Sequence, residues 1–161
     1  MNLLSVVNSQ FLNLYNESEM QRIKVTPGDI QKVAELAQIP LPKMLINILE
    51  EGIIYGFKIK GTSIINFMYV TYIINVGDNY PYFKVDIKEG LNFATDLGGN
   101  VYYYGKGQEG VGLYVVGSGD GNFFEEATKF GDTFEDFFIE GKGIDILKMH
   151  QIRHKQLRGY V

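Results

Sequence analysis

The sequence contains no cysteine, which removes a disulfide scaffold, thiolate zinc sites and a cysteine nucleophile at once and suits a reducing compartment. No apolar run approaches the roughly 18 residues of a membrane-spanning helix, so no membrane partner is expected. No Lys or Arg precedes Arg22, and Asn8, Ser9 and Gln10 interrupt the first apolar stretch. Residues 1–10 therefore do not read as a secretory signal, and the expected location is the cytoplasm. Surplus positive charge is also missing. The 15 Lys and Arg stand against 19 Asp and Glu, a net charge of −4 that disfavours nucleic acid as a partner. The chain has neither an internal repeat nor an interdomain linker.

What is present fits a single domain spanning 1–161. The hydrophobic fraction of 45% and charged fraction of 21% are those of a chain that can build a core, not of a disordered one. The 19 glycines amount to about 12% against roughly 7% on average, and without a collagen period they mark turns.

Charge is unevenly placed. From Glu109 to Glu140 eight acidic residues (Glu109, Asp120, Glu125, Glu126, Asp132, Glu135, Asp136, Glu140) face only Lys129, leaving −7. From Lys142 onward five basic residues (Lys142, Lys148, Arg153, Lys155, Arg158) face only Asp145, leaving +4. The asymmetry bears on partners and association rate; the bland reading is two solvated faces that partly neutralise each other.

Leu3, Leu4, Val7, Phe11, Leu14 and Tyr15 fall at helical spacing, which predicts a helix over 3–15. Thr26-Pro27-Gly28-Asp29 is a helix start with a capping residue, a first-turn proline and an acid three residues on. That helix should stop before Pro40. A second helix opens at Pro42, buries Met44, Leu45, Ile48 and Leu49, and ends at Gly52. Tyr55, Phe57 and Ile59 then alternate as one face of a strand. Residues 63–76 suit strand by propensity and helix by length. From Tyr82 the pattern is β: Phe83, Val85 and Ile87 alternate, then Leu91, Phe93 and Thr95. A turn at 96–100 leads to a strand with Val101 and Tyr103 on one face and Tyr102 and Tyr104 on the other. Gly105 to Gly110 turns again, Gly112–Val116 is a buried strand, and 123–130 holds a short last strand. Asp132-Thr133-Phe134-Glu135 starts a helix with Phe134, Phe137 and Phe138 as its apolar face, and a basic helix covers 144–158. Helices, a mostly antiparallel β meander, then helices packed around it make the fold class α+β.

Several motifs resemble functional sites without their context. Gly105-Lys106-Gly107-Gln108-Glu109-Gly110 has the glycine spacing of a dinucleotide loop, but a strand follows where a helix N-terminus is needed, so it reads as a hairpin turn. In the loop Gly117-Ser118-Gly119-Asp120-Gly121, Asp120 lacks the further ligands of a calcium site, and Ser118 has no histidine placed beside it. His150 and His154 share a helix face four residues apart, yet basic neighbours and the want of a third ligand argue against zinc. The acid pairs Glu125/Glu126 and Glu135/Asp136 are adjacent and diverge, so neither flanks a scissile bond. No cofactor, no metal and no catalytic residue is expected. Tyr102, Tyr103 and Tyr104 are consecutive, so a strand must turn at least one away from the core, unless both faces of the sheet are covered. Exposed tyrosine beside acid suits recognition of a basic protein.

The order of these pieces resembles the SUKH superfamily, which contains fungal cell-wall assembly regulators and bacterial immunity proteins of polymorphic toxin systems. Ile30–Leu49, with its helix, the Leu41-Pro42 pair and the next helix, resembles the family's amino-terminal block. Phe93–Asn100 resembles its turn of a small residue, Asp and Gly-Gly before a strand. Gly112–Val116 resembles the following strand, and Thr133-Phe134-Glu135-Asp136-Phe137 the helix near the family's end. The resemblance spans about 26–140, and Glu51-Gly52 stands where the family has Asn-Gly. It implies helix for part of 63–76.

The resemblance implies a non-enzymatic protein-binding domain, an immunity protein that neutralises a cognate toxin, possible targets including a nuclease. The expected partner-binding residues are Tyr102, Tyr104, Glu109, Asp120, Glu125 and Glu126; Asp96, Gly98 and Gly99 are expected to hold the turn. The alternatives are a regulatory scaffold that binds a cellular protein, as in the fungal relatives, and a small carboxylate-dependent hydrolase. Monomer and homodimer both remain open at this point.

Overall fold

In a computed structural model the chain is described at residues 3–13, 22–53, 55–59, 64–67, 73, 89–96, 98–117 and 123–157. The order is α1 (Leu3–Val6), β1 (Phe11–Asn13), α2 (Pro27–Ala37), α3 (Lys43–Glu51), β2 (Gly56–Ile59), β3 (Ile64–Phe67), β4 (Gly90–Asp96), β5 (Asn100–Gly107), β6 (Gly110–Gly117), α4 (Phe123–Glu126), β7 (Thr128–Gly131), α5 (Phe134–Phe138) and α6 (Ile144–Leu157). The strands form one seven-stranded sheet in sequential order, every neighbouring pair antiparallel. The fold is α+β, an antiparallel meander with helices before and after it.

Local chemistry sets the helix ends. Thr26 Oγ1 accepts from the Asp29 amide at 3.2 Å while Asp29 Oδ2 accepts from the Thr26 amide at 2.9 Å, a complete capping box at the start of α2. Gly52, with φ of 65°, closes α3 by donating its amide to the Leu49 carbonyl. Thr133 caps α5 through the Asp136 amide at 3.0 Å.

The expected helix over 3–15 is not formed. It stops at Val6, and Phe11–Asn13 is instead an edge strand in register with Ile59, Lys58 and Phe57. The Asn8 side chain accepts from the Gln10 amide, a local turn that competes with helix, and the Asn8 amide donates to the Phe138 carbonyl. Tertiary packing confirms the choice: Phe11 meets Phe137 edge to face at 5.2 Å, so a residue spaced for a helix face serves a sheet.

In the ambiguous stretch 63–76, Ile64–Phe67 is strand and Ile73 is helical; the rest, like the alternation at 82–87, lies outside the described residues. The segment 123–130 is a helical turn followed by β7 rather than one strand.

Two bulges aim the core. Asn92 opposes Tyr103 and Ala94 opposes Tyr102, so Phe93 is an extra residue in β4; Phe130 is likewise extra in β7, between the partners of Leu113 and Tyr114. Both phenylalanines drop into the helix-side core, where Phe93 meets Phe134 at 4.9 Å and Phe130 meets Phe137 at 4.8 Å. The bulge breaks the expected alternation of Leu91, Phe93 and Thr95, because Thr95 pairs with Val101 and thus falls on the opposite face. That opposite face is covered as well: Val101, Tyr103, Tyr114 and Val116 form a second, smaller cluster against Phe123 and Ala127. Among the described residues no helix is long and apolar enough to cross a membrane.

Candidate functional site

The expected binding face does not assemble. Tyr102 is 1% exposed, points into the helix-side core against Phe130, and donates its hydroxyl to Asp96 Oδ2 at 2.7 Å. Tyr104 is half-buried and packs on Phe134. Both faces of β5 are covered, so the tyrosine run serves two cores. Glu109 is exposed in the β5–β6 turn, and Glu125 and Glu126 are exposed on α4. They sit at opposite ends of β6, about 20 Å apart at some 3.3 Å per residue. Asp120 lies outside the described residues.

Asp96, by contrast, holds its turn as expected. Its Oδ1 accepts from the amides of Gly98 at 2.8 Å and Asn100 at 3.0 Å, and its Oδ2 from the Asn100 side chain and the Tyr102 hydroxyl. Gly99, at φ of 82°, takes the left-handed position of this turn.

The Gly105–Gly110 motif is structural at each glycine. The strands run further than expected, to Gly107 and from Gly110, leaving Gln108 and Glu109 as a two-residue turn. A Cβ at Gly105 would come within 2.5 Å of the Glu89 carbonyl oxygen, and one at Gly107 within 2.3 Å of Tyr114 Cζ. The Tyr114 hydroxyl occupies that space, accepting from the Glu109 amide at 3.1 Å and donating to the Gly110 carbonyl at 2.7 Å. The Tyr114 hydroxyl, not a ligand, takes the Glu109 amide of this turn.

This clamp fixes Glu109 at the rim of an open cleft between the β5–β6 turn, β7, α5 and the start of α6. Phe130, Gly131, Gly143 and Ile146 form its apolar part. Gly143 (φ 90°) lets α6 start hard against β7; a Cβ there would overlap the Phe130 carbonyl oxygen at 1.6 Å. Asp132, Asp136, Lys129 and Lys142 complete the lining. Lys129 Nζ lies 2.7 Å from Asp132 Oδ1 and donates to the Glu109 carbonyl at 3.0 Å. Lys142 Nζ lies 2.6 Å from Glu140 and 3.4 Å from Asp136.

The pairing sets the protonation states. The hydrogen bond that Lys129 donates to Asp132 holds its ammonium above its ordinary value, and the Glu140 and Asp136 carboxylates do the same for Lys142. The Asp132 carboxyl is lowered by its bond to Lys129. A lysine used as base or nucleophile needs the opposite shift. The cleft is lined by three carboxylates (Glu109, Asp132, Asp136) against two ammonium groups, one net negative charge, and Glu140, paired with Lys142 beside it, adds a second. Val111, 48% exposed, and Ile146, 43% exposed, add apolar surface beside it.

Asp132 was legible as part of a helix start, Asp136 as one of an adjacent acid pair and Glu140 as a member of the acidic segment, none of them as part of a cleft. The capped turn at Thr133 and the approach of Gly143 to β7, not sequence spacing, bring Asp132 and Asp136 into the cleft that Glu109 lines, with Glu140 held beside it through Lys142. Glu135 and Asp136 diverge as adjacent residues should, one exposed and the other half-buried on Lys142. Among the described residues no group of three His, Cys, Asp or Glu could hold a metal ion.

No family model and no curated protein matches this chain.

Proposed function

We propose that the chain is a protein-binding domain that acts as an immunity protein of the SUKH type, occluding a basic toxin through the acidic cleft. The observation that carries this reading is the cleft's surplus of one negative charge, raised to two by Glu140 beside it, next to exposed apolar surface at Val111 and Ile146. Charge of this kind steers a cationic partner and fixes its orientation, while the apolar part supplies contact area once water is expelled. The rim belongs to the segment that carries −7 from eight acids and one lysine, so the attraction reaches beyond the cleft itself. The bacterial immunity proteins in the resembled family bind toxins, and a nuclease is the cationic toxin such a rim would suit.

The test is co-purification of this chain with the product of the adjacent gene, followed by association kinetics at two salt concentrations. Glu109→Lys and Glu140→Lys together should slow association by about tenfold at low salt, with a smaller effect at high salt. Absence of a complex, or a complex whose rate ignores both charge reversals, would overturn the proposal.

A further inference from the structure

The β5–β6 hairpin runs past its neighbours. Gly105 is the last residue of β5 that pairs with β4, and Leu113 is the residue nearest the turn that pairs β6 with β7. Beyond them β5 and β6 still pair with each other, Lys106 with Val111 and Gly107 with Gly110. The tip therefore projects about 10 Å past Gly105 at some 3.3 Å per residue. Gln108, Glu109, Gly110 and Val111 are all exposed, and a Cβ on Gly110 would meet nothing within 4 Å. The turn does not order itself: the favoured two-residue hairpin turn has positive φ at both central residues, and here Gly110 alone takes it, at 85°. Side chains and a neighbouring strand order it instead. The Tyr114 hydroxyl bonds the Glu109 amide and the Gly110 carbonyl, Lys129 donates to the Glu109 carbonyl, and on the β4 side the Lys106 amide donates to the Glu89 carbonyl at 2.9 Å. Among the described residues no lysine or arginine pairs with the Glu109 carboxylate, since Lys129 pairs with Asp132 and Lys106 with Glu89 at 3.3 Å. Both backbone groups of Glu109 are fixed while its charge is left uncompensated.

We propose that residues 108–111 are the part of this chain that enters its partner, a basic protein with a concave site, and that Tyr114 is the positioning residue that holds Glu109 in its bound shape beforehand. The inference rests on the acidic-cleft reading above, in which Glu109 lines one wall, and adds the element that makes the insertion. Tyr114 is 1% exposed, so it acts on a partner only through the turn it holds. A tip that is already ordered gives up little conformational freedom on contact, and that saving shows in the lifetime of the complex. Charge steering depends on the field of the whole acidic segment and shows in the association rate. Val111 adds apolar surface beside the carboxylate, which excludes water from the contact Glu109 makes.

Two measurements test it: amide hydrogen exchange of the free chain, and the separate association and dissociation rates of its complex with the product of the adjacent gene. In the free chain Tyr114→Phe should speed exchange of the Glu109 amide by about tenfold or more, while the amides of the paired strands keep their protection. In the complex the same variant should raise the dissociation rate roughly fivefold to tenfold and leave association within about twofold, because no charge changes. Val111→Ala, at an exposed position that does not bear on folding, should raise dissociation by about threefold or more. A complex with the expected charge dependence that dissociates at the parental rate in either variant overturns this inference and leaves the cleft reading intact. So does a Glu109 amide that exchanges equally fast in the parent chain and in Tyr114→Phe. Absence of any complex removes the cleft reading, and the tip with it.

Discussion

The Tyr102 hydroxyl donates to Asp96 Oδ2 at 2.7 Å, tying β5 back to the last residue of β4. Three more donors converge on the same carboxylate, from Gly98 and from the amide and side chain of Asn100, and Asp96 is only 6% exposed. A buried carboxylate is costly unless its oxygens are satisfied, and the turn supplies that satisfaction locally. Asp96→Ala strands these donors and should cost about 2–4 kcal/mol of stability, while Tyr102→Phe, which removes one bond, should cost about 1 kcal/mol. Urea unfolding of both variants decides. Equal losses would mean that the carboxylate organises no more than its single tyrosine partner.

The β5–β6 hairpin depends on Gly107 in a different way. Its Cα hydrogen faces the Tyr114 ring, and an added methyl would lie 2.3 Å from Cζ. Gly107→Ala should therefore lose about 1–3 kcal/mol through displacement of that ring. Tyr114→Ala vacates the space, so adding Gly107→Ala to it should cost far less than in the parent chain. A double-mutant cycle by thermal unfolding measures the difference. Additive losses would show that the ring does not dictate the glycine.

Helix ends were readable in the sequence because their signals are local. Thr26 with Asp29 and Gly52 act within a few residues and stand where expected, and the helix start read at Asp132–Glu135 is present with its cap one residue on, at Thr133. The meander was readable at β4, β5 and β6 because alternation and glycine turns are also local. What failed was set by contacts distant in sequence. Phe11 looked helical, but its neighbours are Phe57 and Phe137, and nothing near it in the chain announces them. Phe93 reaches the core through a bulge that reverses Thr95, and a bulge leaves no signature in an apolar/polar pattern. Tyr102 appeared available because a three-tyrosine strand seemed to need an open side, yet it is buried in the helix-side core against Phe130 and the second cluster closes the other face. Among the described contact residues only Glu109 takes part in the cleft, whose other acids arrive through the folding of β7 and α5.

Alkaline pH should weaken the fold through its buried phenols. Burial pushes the Tyr103 hydroxyl well above its ordinary value of 10.0, and Tyr114 adds to the shift. Tyr55 is raised in the same direction by burial, then by its hydrogen bond to Glu51. The unfolded chain therefore ionises first. The stabilisation is complete below the ordinary value of 10.0 and declines as pH rises above it. Unfolding midpoints should hold steady near neutrality and fall beyond that point, and Tyr103→Phe should flatten the fall. An unchanged alkaline slope in Tyr103→Phe would mean that this phenol ionises as freely in the native state as in the unfolded one.

Acid tests the start of α2. The Asp29 carboxyl is held below its ordinary value of 3.8, chiefly by the hydrogen bond from the Thr26 amide and then by the Thr26 side chain. A depressed carboxyl stabilises the native state above 3.8, and that contribution disappears as pH falls through the lower native value. Protonation removes the charge that bonds the Thr26 amide and complements the helix N-terminus. Asp29→Asn should thus lower stability near neutrality and lessen the acid dependence together. Thr26→Ala removes the other half of the box and should cost about 1 kcal/mol at neutral pH. The Thr26 amide would still hold Asp29, so part of the acid slope should persist in Thr26→Ala. If Asp29→Asn retained the parent chain's full acid slope, the titrating group would have to lie elsewhere, with the Asp132–Lys129 pair the next to examine because its carboxyl is lowered as well.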